Sequence, residues 1–433
     1  MRFPSLIGTY LTLLGVLLAG YAFFGKRFAY LGAGNVYIGE IVLALGVLAL
    51  YRLGPGVYKA LYKLYTFPPV ALLTLFMLWG LYRTVPFLVE YGVDALRDSV
   101  IWAYGAFAFV VAALLVSNPR RFISWIKAYS MLSTIFLVVI PIEWVLTRYP
   151  GIVLVRGIAS FIHLKPGDVL VHLAGVAGYT LSGLLRTSIL RYGLVALVFL
   201  LFAFENRAGM LAFVTSMLLL FFFRPLSRPP WRLIAIGGVS LAVLWITGLE
   251  IDLGRRQLSF NQIVSNVESI LTDTNDPKLE GTKSWRLSWW SKIIGYTIYG
   301  EYFWVGKGYG VNLANDDGFQ VLRDGSLRSP HNGHLNILAR SGVPGLLLWL
   351  FLQSSWVWYI IKNAVHSKKM GRYAWFSTFV FLAVYWWAFI VNMSFDVFLE
   401  GPVGGIWFWT IFGTGIAATI IYRQHPEIYK ETI

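Results

Sequence analysis

Two of the six histidines in this 433-residue chain fall in one stretch, Ser329–Gly345, which reads SPHNGHLNILARSGVPG. Ser329 is a good N-cap and Pro330 suits the first helical position. The pattern therefore predicts a short helix running to about Arg340 and ended by Gly342 and Pro344. His331 would lie in its first turn. The positive end of the helix dipole disfavours imidazolium, and the free N–H groups there attract anions. A neutral histidine beside an anion site is what a general base needs to deprotonate a hydroxyl near a phosphate. His334 follows one turn later, with Asn332 between the two. The competing reading is a group of interfacial polar residues capping a membrane span.

Two arginines extend the chemistry. Arg207, in FAFENRAGMLAF, stands where two apolar runs meet. A charge at such depth costs about 2.5–3.5 kcal/mol at the bilayer centre and marks function, unless it pairs with Glu205 or snorkels to the interface. Arg286 lies in SWRLSWWSKIIGYTIYG, where Trp285, Trp289 and Ile293 recur on one helical face. The tryptophans suit a membrane interface, and the alternative for Arg286 is an ordinary interfacial arginine. Arginine binds phosphate as a bidentate fork. Two arginines and a neutral histidine suit an anionic leaving group, such as a lipid-linked diphosphate, and a base for an acceptor hydroxyl. Asn332, His334, Arg328 and Lys307 are the expected substrate contacts. Metal-dependent transfer would want clustered carboxylates. The adjacent pair Asp316–Asp317 sits in a Gly/Asn-rich turn and reads as turn-forming. GKGYG lacks P-loop spacing. No metal and no cofactor is expected.

These residues need a membrane scaffold to position them. The chain is 57% hydrophobic and 13% charged, against about 25% charged in ordinary soluble domains. With no cysteine, thiolate chemistry and disulfides are excluded. Apolar runs predict an all-α polytopic protein with about twelve spans, near 5–24, 31–51, 67–88, 98–117, 128–147, 168–185, 190–205, 208–223, 232–250, 343–362, 374–394 and 403–422. The sixth is weak, with a histidine and three glycines, and Glu40 inside the second is unexplained. The N-terminal run could pass for a signal peptide but reads as the first span. Lys and Arg outnumber Asp and Glu by 36 to 21. Their distribution puts both termini in the cytoplasm and needs no nucleic-acid partner. The organisation is then residues 1–250 as helices one to nine, 251–341 as a large outer loop, and 342–433 as the last three helices and a cytoplasmic tail.

Over about residues 200 to 360 the chain resembles the bacterial O-antigen ligase and O-antigen polymerase superfamily. The resemblance rests on NRAG, WRLSWW, VGKGYG and HNGHLNILARSGVPGLLLW, in that order. It implies a GT-C-like fold in the inner membrane with a periplasmic active site. It further implies that Arg207 and Arg286 grip the diphosphate of an undecaprenyl-linked glycan and that His331 acts on the acceptor hydroxyl. The transfer would be inverting and independent of metal. An arginine–glycine spacing found in some polymerases is missing. The basic residues Arg255, Arg256, Lys278, Lys283, Lys292, Arg323 and Arg328 suit a phosphorylated lipid A–core acceptor or anionic membrane lipids. Both points favour a ligase over a polymerase or a related glycan or protein ligase. A lipid or polysaccharide transporter is the alternative from another class.

Overall fold

The computed structural model describes residues 6–148, 161–185, 188–223, 231–248, 250–252, 257–271 and 277–429; Arg255 and Arg256 lie outside them. The longer helices are α1 (Leu6–Phe24), α2 (Ile38–Tyr51), α3 (Pro55–Tyr65), α4 (Pro68–Thr84), α5 (Val93–Ala103), α6 (Gly105–Ser117), α7 (Pro119–Arg148), α8 (Pro166–Leu181), α9 (Ile189–Ala203), α10 (Arg207–Phe223), α11 (Trp231–Thr247), α12 (Phe260–Leu271), α13 (Pro277–Ile298), α14 (Gly333–Lys369), α15 (Tyr373–Met393) and α16 (Pro402–Gln424). Two short antiparallel hairpins, Gly32–Ala33 with Val36–Tyr37 and Ile251–Asp252 with Gln257–Leu258, are the described strands.

Each of the twelve expected spans falls on a helix, yet among the described residues six helices are long and apolar enough to cross a membrane, or up to eight if the bent pairs α2–α3 and α5–α6 each count as one. The shortfall has a physical basis in α8. Its 16 residues are buried from Gly167 to Leu181, enclosed by α9, α10 and α15. A helix packed inside a bundle does not need the length of one that faces lipid. The glycines that weakened its apolar signal admit close neighbours: a Cβ on Gly175 would meet the Tyr385 ring at 2.7 Å. At the other central contact, α6 against α16, a Cβ on Gly413 would lie 2.5 Å from the Ala108 carbonyl oxygen. Glu40 sits in the first turn of α2 and caps it: Tyr37 N–H and Tyr104 O–H donate to its two oxygens at 3.0 and 2.5 Å.

The helix α14 is broken at Gly342, whose φ of 68° and ψ of −173° are not helical, where the sequence placed the stop. Three carbonyls freed by the break are taken from outside the helix. Lys307 N–H donates to Ala339 O at 2.7 Å, Gly308 N–H to Arg340 O at 3.0 Å, and the Trp79 indole to Ser341 O at 2.9 Å. Beyond the break, Val343 N–H donates to Phe303 O at 2.8 Å. The VGKGYG segment thus serves as a backbone cap, and its glycines at positive φ let it lie flat on the break. Arg83 of α4 holds its far side through Val305 O at 2.6 Å.

The loop between α11 and α14 has its own small core of Trp289, Ile293, Leu313, Ala314 and Leu338. Here the expectation of an interfacial tryptophan face is corrected. Trp289 is fully buried, stacked on Phe319 and donating its indole N–H to Asp317 at 2.7 Å, because an indole that finds an internal acceptor gains more from packing than from a wet interface. Buried Asn266 of α12 ties the loop to the bundle by donating to Ala203 O and Phe204 O, the carbonyls that end α9.

Gly342→Ala should lower the thermal midpoint of the purified protein. The left-handed backbone costs an L-residue about 1–3 kcal/mol, and the new Cβ would lie 2.6 Å from the Phe303 carbonyl oxygen, a backbone atom with no rotamer to change. An unaltered midpoint would contradict this description of the break.

Candidate active site

The turn before α14 differs from the expectation in its cap. Asn332, not Ser329, is the N-cap: its side-chain oxygen accepts from His334 N–H at 3.0 Å and Leu335 N–H at 3.1 Å. Ser329 turns away and donates its hydroxyl to Glu400 at 2.8 Å. Pro330 is fixed through its carbonyl, which accepts from the Trp290 indole at 2.8 Å. His331 therefore precedes the helix rather than entering it. It is the one non-glycine residue at positive φ (54°) among the described residues. Such backbone costs of order 1–3 kcal/mol and concentrates at functional sites. Local propensity suits Ser329 to the cap; its contact with Glu400 and that of Pro330 with Trp290, both distant in sequence, move the cap to Asn332.

His331 is partly exposed, and its Nδ1 faces Asp396 Oδ1 at 3.5 Å, with the Trp285 ring edge-on at 6.2 Å between centroids. The partner of its ring is thus a carboxylate rather than a helix dipole. Asp396 lies in the turn between α15 and α16. Its other oxygen, Oδ2, faces Lys165 Nζ at 3.7 Å, where Lys165 is the residue just before α8. Burial by itself would raise the Asp396 carboxyl. The contact with His331 and the Lys165 charge overcome this and hold it down to about 2. Burial also pulls the Lys165 ammonium down, but Asp396, then Asp168 and Glu400, outweigh it and raise it.

Arg286, on α13, reaches the same turn. Its Nη1 donates to Phe395 O at 3.0 Å, while its Nε is buried with no partner. Burial lowers this guanidinium, Asp396 opposes that, and the charge of Arg207 adds to it. Arg207 begins α10 and is half-buried, so its cation is felt at the same place. Glu205 pairs with Arg148. Lys165 and Arg286 thus lie at the turn whose Asp396 faces His331, with the Arg207 charge acting on Arg286 and the Asp168 and Glu400 carboxyls acting on Lys165. An orphaned arginine donor in such a cluster is ready for an incoming anion.

His334 is excluded as a base by its own hydrogen bonds. The Trp349 indole can only donate, and it reaches His334 Nδ1 at 3.0 Å. Ser394 spends its hydroxyl proton on Ile390 O at 2.9 Å. The contact of 3.2 Å between His334 Nε2 and Ser394 Oγ must therefore be donated by the histidine. Both ring nitrogens are committed and no lone pair is left for a substrate. Asn332 is likewise occupied as the cap.

Arg328 and Lys307, expected as substrate contacts, belong to the scaffold. Arg328 donates to Asp98 at 3.1 and 2.8 Å, to Asp94 at 3.1 Å and to Gly310 O at 2.6 Å. Buried Arg340 adds a second contact to Asp98 at 2.9 Å. Together they tie the loop to α5. Lys307 Nζ lies between Asp316 and Asp317 at 2.5 and 2.6 Å and over the Tyr296 ring at 4.0 Å. That ion pair is where the Asp316–Asp317 carboxylates spend their charge. Among the described residues, no three His, Asp or Glu side chains gather as a metal site.

Sequence reasoning missed Asp396, Glu400 and Lys165. The first two stand in SFDVFLEGP, a short turn between two apolar helices. Its two acids stand in no motif that marks them as a site. Lys165 carries no local signal, because its role comes from Asp396 alone.

No curated protein matches the sequence. The sequence model of the O-antigen ligase family matches residues 192–350. That stretch holds Arg207, Arg286, His331, Asn332, His334 and the break at Gly342, and it ends before Asp396. The match implies a membrane-bound enzyme of glycosyltransferase or ligase type, with a lipid-linked glycan and a lipid acceptor as its general substrates. Over residues 192–350, the chain is thus similar to the O-antigen ligase family.

Proposed function

We propose that the chain is an O-antigen ligase. It moves a glycan from undecaprenyl diphosphate to a hydroxyl of lipid A–core oligosaccharide, at the periplasmic face of the inner membrane, with inversion and without a divalent metal. What supports this reading is His331 facing Asp396, with Arg286 bonded to Phe395 O in the same turn and the Arg207 charge acting on Arg286. With Nδ1 turned to Asp396, His331 has Nε2 left for the acceptor. That nitrogen takes the hydroxyl proton as the oxygen attacks the anomeric carbon. The bond from that carbon to the phosphate oxygen breaks, and its electron pair leaves on the diphosphate. Arg207 and Arg286 meet the growing negative charge, with Lys165 beside them, and such preorganised stabilisation acts where charge develops. Asp396 orients the ring and stabilises the imidazolium, as a carboxylate does behind a catalytic histidine. The gathering of these residues at one turn also supports transfer over transport, which would spread charges along a path.

Reconstituted protein, undecaprenyl-diphosphate glycan and purified lipid A–core, with EDTA throughout, test the reading. Glycan should appear on the core. Lengthened glycan left on the carrier would instead mark a polymerase, and a strict need for Mg²⁺ would contradict the mechanism. His331→Ala should lower the rate by about 10²–10⁴-fold, the worth of a general base, with insertion intact. Arg207→Lys should also be poor, because an ammonium cannot reproduce the fork. His334→Ala should lose less, and an equal loss would contradict the assignment of the base to His331 alone.

A further consequence concerns pH. The Asp396 carboxyl sits near 2 in the folded protein, below its ordinary value of about 3.9. Folding then favours the ionised form, so its stabilising contribution is complete above about pH 4 and fades as pH falls toward 2. The difference in thermal midpoint between wild type and Asp396→Asn should be constant from pH 5 to 8 and shrink below about pH 4. A difference that grows on acidification would contradict the charge assignment.

A further inference from the structure

On the other side of the loop that carries Lys165 lies a cavity of about 200 Å³, lined by Glu143, Trp144 and Arg148 of α7, His163, Pro166 and Phe202 among others. The loop is held in place by backbone hydrogen bonds: His163 N–H donates to Phe24 O at 3.0 Å and Lys26 N–H to His163 O at 3.1 Å. Consecutive residues of one fixed segment thus face the catalytic cluster, through Lys165, and the cavity, through His163 and Pro166. The cavity holds roughly six waters at about 30 Å³ each, less than the 300–1,000 Å³ or so of sites for drug-sized ligands. That is room for one ring rather than a chain of them.

The lining chooses among small ligands. Glu143 is 5% exposed, and its Oε2 is buried without a hydrogen-bond partner. A carboxyl oxygen left so is costly unless a donor arrives. Arg148 is engaged by Glu205 and lies over the Trp144 ring at 4.6 Å, so the cation of this cavity is already spent. An acceptor without a donor, beside a committed cation, offers nothing to a phosphate. The same set offers hydrogen-bond acceptance and apolar ring faces to a neutral polyhydroxyl ring. We propose that this cavity is a subsite for one sugar ring of a saccharide substrate, with Glu143 accepting from a ring hydroxyl. The inference rests on the transfer reading for its substrate and names the place where a sugar beyond the reacting one is held. The sugar belongs either to the lipid-linked donor or to the acceptor core.

The test separates these sources. In the reconstituted assay, Glu143→Leu should raise the KM of one saccharide substrate about tenfold or more and leave kcat unchanged. A rise for the donor alone assigns the ring to the donor, and a rise for the core alone assigns it to the acceptor. Glu143→Gln, which keeps the shape and one acceptor oxygen, should fall between wild type and Glu143→Leu, and it serves alone if the leucine variant does not fold. Unchanged KM for both substrates would overturn the subsite. A binding measurement keeps this outcome apart from failure of the transfer reading. Saturation-transfer NMR with methyl α-glucopyranoside and methyl N-acetyl-α-glucosaminide should give ring-proton signals with wild-type protein that weaken in the Glu143 variants. If no transfer is found with either acceptor, such signals still uphold the sugar site, and their absence from wild type ends it.

Discussion

The break at Gly342 is the constraint on which the rest of this site depends. A straight helix from Gly333 to Lys369 would satisfy its own backbone and leave VGKGYG without a place. The break frees carbonyls at Ala339, Arg340 and Ser341, and a buried carbonyl must find a donor. Lys307, Gly308 and Trp79 supply those donors. The break thereby docks the glycine segment, and the glycine segment docks Arg83. Buried Arg340, two residues before the break, then requires its charge to be met, and Asp98 meets it. The first nine residues of α14 are set at a fixed angle by this chain of obligations, and His331 stands at their head.

Charge decides the rest. A lone carboxylate at the Asp396 position would be costly, and so would a lone ammonium at Lys165. Each stabilises the other, and Asp168 and Glu400 add to the charges that hold Lys165. The two histidines of the motif divide the labour by their neighbours. His334 is buried between an indole donor and a serine, which fixes one neutral tautomer and makes it structural. His331 is held by a strained backbone, with one nitrogen toward a carboxylate and its ring partly open to solvent. Identical side chains one turn apart thus differ in chemistry for reasons that lie outside the motif.

Much of this was legible in the sequence where local physics decides. Gly342 followed by Pro344 can only end a helix, and the helix ends there. The apolar runs are helices at all twelve expected places, although fewer reach full membrane length. What was not legible depends on distant partners. Arg328 reads as a free cation until Asp98, 230 residues away, is found against it. Trp289 reads as an interfacial anchor until Asp317 takes its N–H. Ser329 reads as the cap until Glu400 and Trp290 claim the residues before His331. The weak sixth span was weak because it is enclosed, where small residues and internal hydrogen bonds such as His172 with Tyr385 at 2.6 Å replace continuous apolar surface.

The most direct measurement is a structure of the protein with undecaprenyl diphosphate bound in the presence of EDTA. The account predicts the diphosphate against Arg207 and the orphaned Nε of Arg286, beside Lys165, with His331 Nε2 facing the side from which an acceptor hydroxyl would approach. A diphosphate bound away from the Phe395–Asp396 turn, or one with His334 rather than His331 turned toward it, would contradict it.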